Sequence, residues 1–269
     1  MKFAVYTNNL SAETAETADE LILEVPNRMT LSEFLGKYSI NSMIDMFPQK
    51  TFIIKNIYFE DLSIIESLIK EFSEVDIWFA AANINNLLSL KPYVEKVFTM
   101  EPIMDLYTLK KLAKKGVRRF VIAGDLGFSL DDNFYRWKKY WDLKIMVNPA
   151  DNSLDSSVRG FFIRPEDIHI YENYIDVLFF TPISAMYEKT ALKTYRDNKR
   201  WYGNLKELVL GLESDFDNRL LGDNKDFTLA RKVCHHKCDY CHICDSALYL
   251  KDLLKNDKIK EIKLTVKER

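Results

Sequence analysis

The chain has 269 residues, of which 47% are hydrophobic and 29% charged, with 38 Lys and Arg against 40 Asp and Glu for a formal net charge of -2. That is the balance of a globular, enzyme-sized protein with a sizeable core, and it excludes a whole-molecule field that would draw in nucleic acid or an anionic membrane. The first residues lack the apolar run of a signal peptide, and no apolar stretch approaches the ~20 residues of a membrane helix, so a cytoplasmic location without a membrane partner is expected.

From the N-terminus, short β-branched or aromatic runs alternate with longer amphipathic stretches, the pattern of βαβ units and a parallel sheet. Strands are predicted at 2–7, 21–25, 51–57, 77–82, 96–100, 119–123, 144–147, 160–163 and 177–180. Helices are predicted at 31–43, 61–72, 105–115, 131–141 and 166–174, from apolar residues at three- and four-residue spacing. Asp61, Asp105 and Ser129 are candidate N-caps, and Gly116 is a candidate C-cap. Eight or nine parallel strands, only 8 glycines and no dinucleotide fingerprint favour an α/β fold of the (β/α) barrel type over a doubly wound sheet.

Two places break the rhythm. The crossover 26–50 is long, and 149–159, rich in Asp, Asn and Ser, reads as a loop where a helix is expected, so the barrel is predicted to be irregular or open there. Residues 1–182 are read as the barrel-like domain, and 183–269 as a helical, cysteine-rich C-terminal extension. That extension carries predicted helices at 183–198, 205–212 and 246–255, and a strand at 259–266 whose lysines discourage edge pairing.

All four cysteines lie within 234–244: Cys234, Cys238, Cys241 and Cys244, in the spacing C-x3-C-x2-C-x2-C. Core packing gives no reason to gather them, and in a reducing compartment such thiols are ligands or redox groups rather than disulfides. Short spacers bring thiolates together at little loop-closure cost. A structural zinc site usually joins two knuckles across a longer excursion, which is missing here. An iron–sulfur cubane is commonly held by cysteines with two-residue spacers, so the spacing favours a 4Fe-4S cluster. Zinc stays open as the alternative, because His235, His236 or His242 can replace a Cys ligand.

In a (β/α) barrel, chemistry sits where the strands end. Those positions hold Asn8, Glu24, Asn83, Glu101, Asp125, Asn148 and Arg164 among others. Glu24, Glu101 and Asp125 are the candidate acid–base residues. Asn8, Asn83, Asn148 and Arg164 are candidate substrate ligands, Arg164 because its planar fork suits carboxylate or phosphate. Turns recruit Asn and Asp for their own reasons, and Glu166 and Asp167 after Arg164-Pro165 read as acids at a helix N-terminus. Basic residues cluster at 110–119 and, interleaved with aromatics, at 187–202, a pattern that holds nucleic acid in some proteins and forms a solvated helix face in most.

The segment Cys234-x3-Cys238-Asp239-Tyr240-Cys241 resembles the radical S-adenosylmethionine signature. That family carries it after the first strand, however, and leaves one iron without a cysteine, whereas here Cys244 adds a fourth sulfur. The stretch Leu109-Lys110-Lys111-Leu112 through Ala123-Gly124-Asp125, then Arg159-Gly160-Phe161-Phe162, the Pro165-Glu166-Asp167 helix start and Ile175-Asp176-Val177-Leu178-Phe179 resemble the collagenase-like peptidase family over about residues 2–212. The resemblance implies a barrel-like fold and, from several members, an iron–sulfur protein that hydroxylates RNA bases or quinones. The family's cysteines are dispersed through the chain, so its ligands do not carry over.

The expectation is therefore a metal-cluster enzyme, iron–sulfur first, doing redox or hydroxylation chemistry on a small planar substrate or nucleic acid base. The alternative is a non-catalytic zinc-binding scaffold for nucleic acid or protein partners. Peptidase activity has no nucleophile elbow or zinc-protease motif behind it.

Overall fold

The structure, a computed structural model, describes residues 1–7, 12–38, 40–127, 130–151, 161–180, 185–202 and 218. Its strands are β1 (Lys2–Tyr6), β2 (Glu20–Glu24), β3 (Thr51–Ile57), β4 (Ile77–Ala81), β5 (Val97–Thr99), β6 (Arg119–Val121), β7 (Lys144–Val147), β8 (Ala150–Asp151), β9 (Phe161–Phe162) and β10 (Val177–Phe180). The helices are α1 (Ala12–Thr17), α2 (Leu31–Lys37), α3 (Ile40–Met46), α4 (Leu62–Glu71), α5 (Ile84–Leu90), α6 (Leu106–Lys114), α7 (Gly124–Gly127), α8 (Asp132–Tyr140), α9 (Ile168–Tyr171) and α10 (Ala185–Arg196).

Eight strands form one parallel sheet in the order β5-β4-β3-β2-β1-β10-β7-β6. Its two ends meet just beyond β5 and β6. Ile103 bridges Ile122, with Ile103 N donating to Val121 O at 2.9 Å and Ala123 N donating to Ile103 O at 3.0 Å. The ring then runs in chain order with β10 as its eighth member, which is a (β/α) barrel. Apolar residues on both faces make the strands near-continuous hydrophobic runs. β1, for example, buries Phe3, Ala4, Val5 and Tyr6.

At 149–159, where an irregular or open barrel is expected, the ring is not open. β7 pairs directly with β10, Met146 opposite Val177 and Val147 opposite Leu178. The strand expected at 160–163 forms as β9 but pairs antiparallel with β8, outside the ring. The helix expected over 31–43 is two helices, α2 and α3, because Tyr38 leaves helical geometry (φ -110, ψ 119) two residues after Gly36, a poor helix former. α10, assigned to the extension in the sequence reading, packs against α1 and adds Ala191, Leu192 and Tyr195 to the barrel core.

The caps hold the helices in place between strands. Thr30 and Glu33 form a capping box on α2, Asp105 Oδ1 accepts from Thr108 N at 2.8 Å on α6, and Asp131 Oδ1 accepts from Phe134 N at 2.8 Å on α8. Asp61 instead accepts from Tyr58 N at 2.9 Å. Gly116 ends α6 at φ 88, the left-handed conformation expected of a glycine just past a helix. Among the described residues no helix is long and apolar enough to cross a membrane.

Glu20 on β2 and Arg119 on β6 form an ion pair with 1% and 0% of their side-chain surfaces exposed. Removing one partner of such a pair strands the other charge in the core. Arg119→Met is expected to lower stability by about 3–5 kcal/mol in urea unfolding, and adding Glu20→Leu is expected to restore much of the loss.

Candidate functional site

In a closed barrel, successive side chains alternate between the lumen and the outer helical layer, so one contact across the ring fixes the phase of every strand. β2 and β6 stand four places apart in a ring of eight, so the Glu20–Arg119 contact crosses the lumen. Glu20, Ile22 and Glu24 therefore face inward. Register carries that phase to Thr51, Ile53 and Lys55 on β3 and to Ala4 and Tyr6 on β1.

The lower lumen is a plug. The Arg119 guanidinium lies 5.2 Å from the Trp78 ring centre and 5.1 Å from that of Phe98, and its Nε donates to Met146 Sδ at 2.9 Å.

At the carboxyl end, three inward residues converge. Lys55 Nζ donates to Glu24 Oε1 at 2.7 Å and lies 5.0 Å from the centre of the Tyr6 ring. The strand is distorted next to them. Asn56 is an extra residue in the β3–β4 ladder and takes φ 66, a conformation Asn tolerates better than most residues. A bulge of this kind bends a strand and re-aims its side chains. The Asn56 amide secures it by donating to Val25 O at 2.8 Å, and it also approaches Glu24 Oε1 at 3.4 Å. Glu24 and Lys55 keep 27% and 21% of their side-chain surfaces exposed, so the pair is half-buried and reachable.

Burial raises the Tyr6 hydroxyl above its ordinary value, an effect that Lys55 only partly offsets. Burial also pulls the Lys55 ammonium down, but Tyr6 and Glu24 outweigh it and hold the group above its ordinary value. The site therefore presents a protonated phenol and an ammonium as donors beside a carboxylate acceptor.

The other residues singled out in the sequence are spread over the rim. Asn83 caps α5, accepting from Asn86 N at 3.0 Å, and Glu101 accepts from Ile84 N at 3.1 Å at the same helix start. Both serve the helix, and among the described residues neither bonds to Glu24. Asn148 follows β7 and is half-buried. Asp125 lies in α7, its side chain outside the description, and Asn8 is outside the described residues.

Arg164 is buried, and its fork is engaged by side chains of this chain. Its Nε and Nη2 donate to the two carboxylate oxygens of Asp167 at 2.5 and 3.0 Å, and its Nη1 donates to Asn218 Oδ1 at 3.3 Å. Asp167 thus grips Arg164 rather than serving only the helix end. The Asn218 amide donates to Glu166 Oε1 at 2.6 Å and to Trp201 O at 2.9 Å, which pins residue 218 to the crossover before β10.

The basic runs also divide. Arg119 is the lumen plug, Arg118 donates to Ala113 O at 2.7 Å, and Arg196 pairs with Asp19 at 2.9 Å. Cys234, Cys238, Cys241, Cys244 and their neighbouring histidines lie outside the described residues, and among those described no group of three or more His, Cys, Asp or Glu is placed to hold a metal.

Sequence reasoning found Glu24 but missed Tyr6 and Lys55. Thr51–Ile57 is apolar apart from Thr51 and Lys55-Asn56, and a strand buried on both faces shows no alternation from which to read which side is the lumen. A lone lysine at the carboxyl end of such a strand was the available signal.

No family model matches the sequence, and no curated protein matches it. Among solved structures, the chain is similar to 3-keto-L-gulonate-6-phosphate decarboxylase from Vibrio cholerae, with TM-score 0.44 and 12% identity over 73% of this chain and 96% of that one. It is also similar to 3-hexulose-6-phosphate synthase from Salmonella typhimurium, with TM-score 0.41 and 12% identity over 79% of this chain and 98% of that one. Neither likeness bears on substrate or mechanism, and the barrel is defined by its own strand order and register.

Tyr6 and Lys55 hold their protons more tightly folded than unfolded. Their stabilisation is complete below about pH 10, the ordinary range of both groups, and is lost as pH rises through the folded-state values. Thermal unfolding between about pH 8 and 11 is expected to show an alkaline fall in Tm that is shallower in Tyr6→Phe. Identical slopes would remove Tyr6 from that linkage.

Proposed function

We propose that this protein is a (β/α) barrel enzyme with a metal cluster, iron–sulfur in the first instance, acting in redox or hydroxylation chemistry on a small planar substrate or a nucleic acid base. The observation that carries the reading is the run Cys234, Cys238, Cys241 and Cys244. Four soft thiolates on two- and three-residue spacers are a donor set that fits a 4Fe-4S cluster without a ligand from the barrel. When bound, such a cluster supplies one-electron transfer.

The barrel's own residues supply the rest. Lys55 donates to a substrate oxygen, Tyr6 keeps a proton available for donation, and the Glu24 carboxylate accepts one. They stand at the end of the strands where barrel enzymes carry their chemistry. The resemblance to the collagenase-like peptidase family supports the same reading, because several of its members are iron–sulfur proteins implicated in hydroxylating RNA bases or quinones. A cytoplasmic location would keep the thiols reduced and available as ligands.

His235, His236 and His242, interleaved with the cysteines, favour a second reading. A mixed Cys/His zinc site would make this a non-catalytic scaffold for nucleic acid or protein partners.

Metal analysis of full-length protein purified without oxygen separates the two. The expected result is brown protein with about four irons per chain, the iron lost in Cys241→Ala while the far-ultraviolet circular dichroism is retained. Colourless protein with stoichiometric zinc supports the scaffold, and protein with neither metal overturns both.

A further inference from the structure

We infer that the carboxyl-end mouth of the barrel binds a neutral planar ligand by a lactam-type edge, an N–H beside a C=O, with Glu24 accepting from the N–H and Lys55 donating to the carbonyl. The inference rests on the planar substrate proposed above and names the chemistry by which it is recognised.

Charge comes first. Glu24 and Lys55 compensate one another at 2.7 Å. An incoming anion would gain Lys55 but meet Glu24, and a cation would face the reverse conflict. A neutral group carrying a donor and an acceptor side by side complements both at once.

The hydrogen-bonding capacity left over agrees. Glu24 Oε1 takes the bonds from Lys55 and Asn56, and Glu24 Oε2 has no partner among the described residues. An ammonium has three N–H donors. Lys55 directs one to Glu24 and lies over the Tyr6 ring, 5.0 Å from its centre. Donor capacity on Lys55 and an acceptor oxygen on Glu24 thus remain on side chains that are direct register neighbours on β2 and β3. Both groups keep part of their surface open, so a ligand can reach them.

Stability alone does not account for the arrangement. A partly exposed ion pair contributes about 0–1 kcal/mol, yet this one sits inside the lumen, beside a bulge whose Asn56 holds a left-handed backbone. Backbone of this kind collects at ligand sites, where the surrounding structure holds it in place.

The probes are 2-pyridone and N-methyl-2-pyridone, which share a ring and a carbonyl and differ in the N–H. Binding to the full-length protein is read by saturation-transfer NMR with competition titration. The expected result is binding of 2-pyridone and at least about tenfold weaker binding of its N-methyl form, since a site that hydrogen-bonds a ligand group rejects the analogue lacking it.

The double variant Glu24→Leu with Lys55→Met removes both charges together and leaves neither unpaired, so it is expected to keep its fold and lose about tenfold or more in 2-pyridone affinity. Equal binding of the two probes, no binding of 2-pyridone, or undiminished binding by the folded double variant would overturn the inference. Metal content is measured on the same samples. Selective lactam binding by metal-free protein leaves this site standing and removes the iron–sulfur reading. Metal-loaded protein without selectivity does the opposite.

Discussion

A ring of parallel strands has no free edge, and its inside must be filled by the alternate residues of the strands themselves. That requirement governs this protein. Closing the ring through Ile103 and Ile122 leaves a lumen into which β2 sends Glu20, β6 sends Arg119, and β4 and β5 send Trp78 and Phe98. A guanidinium between two aromatic faces fills a wide space while its charge is answered by a carboxylate, so the floor is polar in chemistry and tightly packed in effect.

The lumen contains a second ion pair, Glu24 with Lys55, on the same inward phase of β2. The two pairs use similar chemistry and differ in access. Glu20 and Arg119 are sealed from water, whereas Glu24 and Lys55 are partly open and stand next to the distorted turn at Asn56. Environment, rather than residue type, divides them into a packing element and a candidate binding element.

Much of the fold was legible because strand and helix periods differ and because apolar runs of four to seven residues mark buried strands. β3, β7 and β10 fall at the sequence-predicted boundaries. Other elements depend on tertiary packing that local pattern does not contain. α5 carries Asn85, Asn86 and Ser89, weak helix formers, and is held by the burial of Leu87 and Leu90. β9 has the composition of a barrel strand but, among the described residues, pairs with β8 outside the ring.

The candidate site was less legible than the fold. Glu24 could be found by its position at a strand end, but Lys55 needed the phase of the ring, and Arg164 looked open because its partners, Asp167 and Asn218, are seen only once the chain has folded back. The cysteine run was the plainest chemical signal in the sequence.

The plug of Arg119, Glu20, Trp78 and Phe98 makes the barrel a vessel with a bottom. With that floor filled among the described residues, a ligand of Lys55 comes and goes on the rim side, so arrival and departure share one end of the barrel.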